Sequence, residues 1–340
     1  MGWKKAILRT LKLTALFVFI LGAFALFSGS IDVASAPFVS RGEPEPSLGE
    51  LSGAYDPSGG SYTDASPAGC DAPGEPAVPA APAEPESDYV VIRMDPSAIS
   101  RGNLILVNLN HRFDPPDTAG FESIADRKTP SYRVTGEDLL IYEPVMAPLN
   151  AMMDAFFAET GRDTVSVISA FRGFEAQQQI LNRHISRMGS AEALRWAAPP
   201  GHSEHHTGLA VDFGFYSGGT LRTFLGTGVY SWFRNNSFEY GFILRFPHDK
   251  TAITLTAYEP WHFRYVGQPH AYIIHQRGLC LEEYIEFIAD FTRSDPLGVM
   301  FRDSFYEVYF TRDMEVFIPF DCEFDISGNN ADGFIVTIKR

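Results

Sequence analysis

Cysteine is scarce in this chain, and so is positive charge. Three cysteines (Cys70, Cys280 and Cys322) in 340 residues include no Cys-x-x-Cys pair, which argues against a structural thiolate zinc site. Cys280 and Cys322 can pair only if the fold brings their Cα atoms within about 7 Å. Two buried thiols are the simpler expectation. Lys and Arg number 27 against 42 Asp and Glu, giving a net charge of −15. Such a chain lacks the basic footprint that phosphate binding requires, and a nucleic-acid partner is excluded. No internal repeat recurs along it. Long hydrophobic runs are scarce too: the longest, 13–27, is short of the about 20 apolar residues of a membrane span, but it can be extended through Ser28-Gly29-Ser30 to Ile31, so an anchor and a signal peptide overlap in length.

The features that are present begin with that run. Lys4, Lys5, Arg9 and Lys12 precede it, the layout of an export signal. Ser28 and Ser30, or Ala34 and Ala36, offer small residues to a signal peptidase, but Pro37 directly after Ala36 fits a cleavage site poorly. Residues 1–40 are therefore read as a signal-anchor in preference to a cleaved signal peptide. In either case the basic flank stays inside and the rest is exported. The expected location is extracytoplasmic, anchored to the membrane by an N-terminal helix or secreted. Residues 41–88 hold ten acidic residues against one basic residue, Arg41, and nine prolines. Pro73, Pro76, Pro79, Pro82 and Pro85 recur at the three-residue period of polyproline II. This acidic, Pro-rich linker would hold the downstream domain away from the membrane.

The remainder, with 45% hydrophobic and 14% aromatic residues in the chain as a whole, has a globular composition. Short apolar, β-branched runs predict strands at 89–93, 104–109, 164–169, 208–215, 242–246 and 261–266. Helical spacing predicts helices at 143–160, 174–188, 230–240 and 281–290. From Phe305 the pattern is strand-like throughout (307–311, 314–319, 334–338), with a turn at 327–330, so 291–340 reads as a small C-terminal β segment.

Two stretches carry chemistry. Ser203-Glu204-His205-His206-Thr207-Gly208-Leu209-Ala210-Val211-Asp212 places a histidine and a carboxylate seven residues apart, with Gly208 between them. Glu259-Pro260-Trp261-His262 adds a second histidine three residues after a second carboxylate. Two imidazoles and a carboxylate suit zinc, three protein ligands leave a position for water, and one carboxylate remains to move protons. The other histidines, His111, His184, His248, His270 and His275, stand alone and need no functional role. His202 and His206 flank His205 and are candidates to support it from behind or to touch substrate.

The first stretch closely resembles the signature of the VanY-like zinc D-alanyl-D-alanine carboxypeptidases. Glu259-Pro260-Trp261-His262-Phe263-Arg264-Tyr265-Val266-Gly267 is similar to the same family's second motif. Ser169-Ala170-Phe171-Arg172-Gly173-Phe174-Glu175-Ala176-Gln177 is similar to its arginine- and glutamine-bearing segment. The resemblance covers about 104–290. It implies that His205, Asp212 and His262 ligate one zinc ion, that Glu259 is the catalytic base, and that Arg172 holds the substrate's terminal carboxylate. Gln177 and Ser203 would then contact the peptide. The family usually has Gly-Tyr-Arg-Ser where this chain has Ala170-Phe171-Arg172-Gly173, a departure that touches substrate detail. The implied fold is a compact α+β zinc peptidase domain at 89–290 (Hedgehog/DD-peptidase-like), with a central antiparallel sheet holding the metal.

The implied activity is removal of a terminal D-alanine from peptidoglycan stem peptides. An L,D-carboxypeptidase acting on tetrapeptides, or a peptidoglycan endopeptidase, differs only in the bond cut. A wall-binding module without turnover is disfavoured by the complete set of ligands plus base.

Overall fold

The computed structural model describes residues 88–114 and 120–340. The expected N-terminal anchor, the linker up to residue 87 and Cys70 lie outside them. Among the described residues, no helix is long and apolar enough to cross a membrane.

The first nine strands are β1 (Tyr89–Arg93), β2 (Phe121–Ser123), β3 (Arg133–Val134), β4 (Leu140–Tyr142), β5 (Val165–Ser169), β6 (Ala210–Ser217), β7 (Thr220–Thr223), β8 (Phe242–Leu244) and β9 (His262–Tyr265). The central sheet runs β3-β5-β6-β9-β8, with β7 paired to β6. Every pairing is antiparallel except β3 with β5. Period-two alternation gives the sheet two unlike faces. Val211 and Phe213 of β6 and Phe263 of β9 enter an aromatic core with Phe156, Phe224 and Phe233. Asp212, His262 and Arg264 occupy the alternate positions and so share the other face.

The helix Glu143–Thr160 covers the apolar face. Val145, Leu149, Met152, Met153 and Phe156 recur at helical spacing and are at most 1% exposed. Each such burial contributes on the order of 1.5–3 kcal/mol. Gly161, in the left-handed region at φ 66°, ends the helix.

The structure departs from the sequence-based expectation in several places. Residues 104–109 form no named strand. Leu104, Ile105, Leu106 and Val107 are buried, but their backbone is satisfied from elsewhere. Leu104 N donates to Ser327 Oγ (2.9 Å), Leu106 N donates to Asn329 O (3.1 Å), and the carbonyls of Asn103 and Ile105 accept from the Arg264 guanidinium. Apolar composition signalled burial, and burial without a neighbouring strand leaves no ladder. The expected 230–240 helix is broken into a short helix, Ser231–Asn236, between 3₁₀ turns. A helix at His270–Arg277 was not anticipated.

Five more strands close the chain: β10 (Leu297–Phe301), β11 (Ser304–Thr311), β12 (Glu315–Pro319), β13 (Glu323–Gly328) and β14 (Phe334–Lys339). Four form a sheet of order β10-β11-β14-β13, while β12 pairs with β1. Val308, Phe310 and Ile335 on one face of this sheet pack with Leu104, Ile243, Val266, Ile274, Leu281 and Tyr284. These strands therefore share a core with the segments around the central sheet. Cys280 and Cys322 are both free thiols. Cys280 caps the helix Leu281–Ile288, and burial pushes its thiol up to about 12.

His270 ties the helices to the C-terminal sheet. Its Nδ1 lies 2.5 Å from Tyr284 Oη and its Nε2 lies 3.0 Å from Thr337 Oγ1. Burial pushes its pKa down to about 3. The unfolded chain takes up this proton near the ordinary histidine value of about 6.5, while the folded chain resists it. Stability from this site is full above that value and is lost as pH falls towards 3. Urea unfolding from pH 7 to 4 should show a steeper loss of stability for the wild type than for His270→Gln; parallel curves would contradict it.

Candidate active site

Register places the first two functional side chains. Asp212 of β6 stands directly opposite His262 of β9, and Ser169 of β5 stands opposite Asp212 on its other flank. His205 arrives from the 3₁₀ turn Glu204–Thr207, which is tightened by Thr207: its Oγ1 donates to Glu204 O (2.6 Å) and accepts from Leu209 N (3.0 Å). Gly208 then turns the chain into β6 at φ 69°. A Cβ there would lie 2.3 Å from Phe121 Cε1 and 3.0 Å from the Tyr142 nitrogen. Gly208→Ala should therefore cost about 2–4 kcal/mol through strain and overpacking, read as a lowered Tm; an unchanged Tm would show that the turn can move.

One nitrogen or oxygen from each of His205, Asp212 and His262 can be chosen so that all lie within 4.8 Å of one another. His205 Nδ1 is 2.6 Å from the Ala170 carbonyl, so this nitrogen carries the proton and Nε2, 3.1 Å from Asp212 Oδ2, presents a lone pair. Burial, aided by nearby Arg172, pushes His205 down and keeps it neutral. His262 Nδ1 lies 2.9 Å from Asp212 Oδ1. Burial opposes charge on this ring, but Asp212 and Glu204 at its two nitrogens outweigh burial and raise it to about 9. Burial likewise opposes charge on Asp212, yet the two imidazoles hold its carboxyl well below the ordinary range. Lewis bases thus converge where only a cation or a proton reconciles them, and the donor set fits a divalent metal.

A cavity of about 220 Å³ opens beside these atoms, and Arg172, Gln177, Ser203 and Glu259 line it together with His205, Asp212 and His262. Glu259 Oε2 is 3.9 Å from His262 Nδ1. Burial, reinforced by Asp212 and Glu204 and opposed by His262 and Arg172, raises Glu259 to about 8. Arg172 Nη1 donates to Gln177 Oε1 (2.7 Å) and Nη2 to Ser169 Oγ (2.8 Å), while Nη2 lies 3.5 Å from Asp212 Oδ2. Gln177 passes the chain of contacts on, its Nε2 donating to Ala198 O (2.7 Å). Trp261 packs against the aromatic core at the edge of this cavity.

The structure settles between the two roles left open for His206 and adds a residue, Glu204, to which the sequence assigned none. His206, whose pKa burial lowers to about 4, sits between Arg172 O (2.6 Å from Nδ1) and Gly201 N (3.0 Å from Nε2), so it braces the arginine-bearing loop. Glu204, almost wholly buried, accepts from Arg245 Nε and Arg264 Nη1, both at 2.7 Å. Burial opposes its charge, but the two guanidiniums hold its carboxyl far below the ordinary range. Arg264 falls two residues after His262 in a strand, a spacing that puts both on one face and was the available signal.

The family model for VanY, D-alanyl-D-alanine carboxypeptidase, matches residues 140–268, a span that includes His205, Asp212, His262, Glu259 and Arg172. A D-alanyl-D-alanine carboxypeptidase of Enterococcus faecium is 31% identical over 250 residues, 71% of this chain and 76% of that protein. One from Enterococcus faecalis (strain ATCC 700802 / V583) is 45% identical over 128 residues, 35% of this chain and 46% of that protein. Among solved structures, the vancomycin resistance D,D-dipeptidase VanXYg in complex with a D-Ala-D-Ala phosphinate analog superposes with a TM-score of 0.66 at 31% identity. That match covers 74% of this chain and 99% of the other.

Proposed function

The chain belongs to the VanY family of D-alanyl-D-alanine carboxypeptidases, and we propose that it removes the terminal D-alanine from peptidoglycan stem peptides with one zinc ion held by His205, Asp212 and His262. The observation that carries this reading is the convergence of those three donors in one cavity with Glu259 and Arg172. Two imidazoles and a carboxylate are borderline-to-hard ligands suited to zinc, and three of them leave room for water. When bound, the ion polarises the scissile carbonyl and acidifies that water.

The remaining work falls to the chain. Glu259 takes the proton from the attacking water and delivers it to the leaving amine nitrogen as the C–N bond breaks. Its burial favours the protonated form and so suits the delivery step. Arg172 receives the terminal carboxylate, a match for the planar guanidinium fork. Gln177 fixes the fork from one side, and Ser203 contacts the peptide on the cavity wall. A substrate in the wall accords with the export signal read in residues 1–40 and with the acidic spacer behind it, so the enzyme would work outside the membrane, tethered or released.

Metal removal tests the reading. Dialysis against a chelator should abolish hydrolysis of a D-Ala-D-Ala-terminated peptide, and zinc should restore it at one equivalent per chain. Hydrolysis that survives complete metal removal would contradict it.

A further inference from the structure

The buried charge cluster behind His262 has no place in the proton transfers assigned to Glu259. Glu204 Oε2 lies 3.3 Å from His262 Nε2, on the side of the ring away from Asp212. Its other oxygen accepts from both Arg245 and Arg264. Arg245 spends its remaining donors on Glu282 in a bidentate pair (2.7 and 2.8 Å). Arg264 spends its own on the Asn103, Ile105 and Tyr265 carbonyls. Both guanidinium side chains are 0% exposed. Two carboxylates and two guanidiniums make a balanced set, yet buried ion pairs are weak contributors to stability because desolvation offsets their attraction. Stability alone gives little reason for such a cluster to abut a metal ligand.

The two histidines offer different nitrogens to the metal position. His205 presents Nε2 and anchors Nδ1 on a neutral carbonyl. His262 presents Nδ1, so its anchor must be at Nε2, and the group there is a carboxylate. Two guanidiniums occupy the other oxygen of Glu204, so the oxygen facing Nε2 is held in one orientation.

Resting on the zinc reading of His205, Asp212 and His262, we propose that Glu204 is a positioning residue for His262. It accepts a hydrogen bond from Nε2–H and thereby fixes the tautomer whose Nδ1 lone pair faces the metal, while Arg245 and Arg264, both on its other oxygen, hold Glu204 in place. Outer carboxylates of this kind orient metal-bound imidazoles and set their affinity.

The variant Glu204→Gln discriminates sharply. The two guanidiniums demand an oxygen, so the amide NH2 must face His262 and can only donate. That contact favours the opposite tautomer, with a proton on Nδ1. The zinc affinity of Glu204→Gln, measured by competition with a chromophoric chelator, should fall about 10- to 100-fold, and Glu204→Asp should recover part of it. In the wild type, whatever the variants' folding, 15N–1H correlation spectra of the zinc-loaded protein should show His262 protonated at Nε2 and metal-bound at Nδ1. Equal zinc affinity in wild type and Glu204→Gln, or an unprotonated Nε2 in the wild type, would overturn the role of Glu204 while leaving the zinc reading intact. Failure of the wild type to bind zinc would instead overturn the zinc reading itself.

Discussion

Glu259→Gln should leave zinc bound and lower kcat by about 10²- to 10⁴-fold, the usual worth of a positioned general base. The side chain lies 3.9 Å from His262 Nδ1 and lines the cavity without belonging to the converging donor set, so its loss should not empty the metal site. Burial already favours its neutral form, and a neutral amide of the same shape should fold at least as well as the wild type. The pH dependence comes from the same shift. A base works only when ionised, so kcat/KM should rise with pH through the Glu259 pKa. That value is about 8 for the side chain among its present neighbours, and a bound divalent cation stabilises the carboxylate and moves the rise to lower pH. Glu259→Gln should abolish this acidic limb. Metal analysis, Tm and a pH–rate profile check all three statements; retained turnover would remove Glu259 from its role.

Arg172→Ala should cost about 2–5 kcal/mol in kcat/KM, the range for truncating one partner of a buried charge pair, with the loss confined to substrates ending in a free carboxylate. Arg172 is clamped from several directions, main chain and guanidinium alike. Its backbone N donates to His205 O (3.0 Å), its carbonyl meets His206, and its fork is held by Gln177 and Ser169. It is therefore oriented before substrate arrives, which lowers the ordering cost of binding. Arg172→Lys keeps the charge and loses the fork, so it should fall between wild type and alanine. The check is kcat/KM for paired peptides with free and amidated C-termini. The wild type should favour the free acid strongly and the alanine variant should not. A wild type indifferent to amidation would point to cleavage within the stem.

The residues gathered in the cavity were readable because their chemistry is local. Histidine, aspartate and glutamate at fixed separations, in two motifs with family-specific neighbours, stood out as candidates without a fold, and the structure brings them into one cavity. The helices 143–160 and 174–188 were equally legible, since periodicity over several turns leaves little ambiguity. Segment 104–109 was not, because apolar composition reports burial and says nothing of which group satisfies each amide. The helix His270–Arg277 went unseen because its mixed apolar and polar residues lack a sustained stripe. Glu204 was hidden for a third reason: its role depends on Arg245, Arg264 and His262, which lie between 41 and 60 residues away. Sequence distance conceals such a cluster, and strand register reveals it.

Which bond is cut separates a D,D-carboxypeptidase from its L,D and endopeptidase alternatives. The zinc-loaded protein, incubated with a muramyl pentapeptide and separately with the corresponding tetrapeptide, gives products whose masses decide it. A D,D-carboxypeptidase should release a single alanine from the pentapeptide, abolished by chelator, and none from the tetrapeptide. Loss from the tetrapeptide alone, or an intact pentapeptide with zinc demonstrably bound, would contradict it.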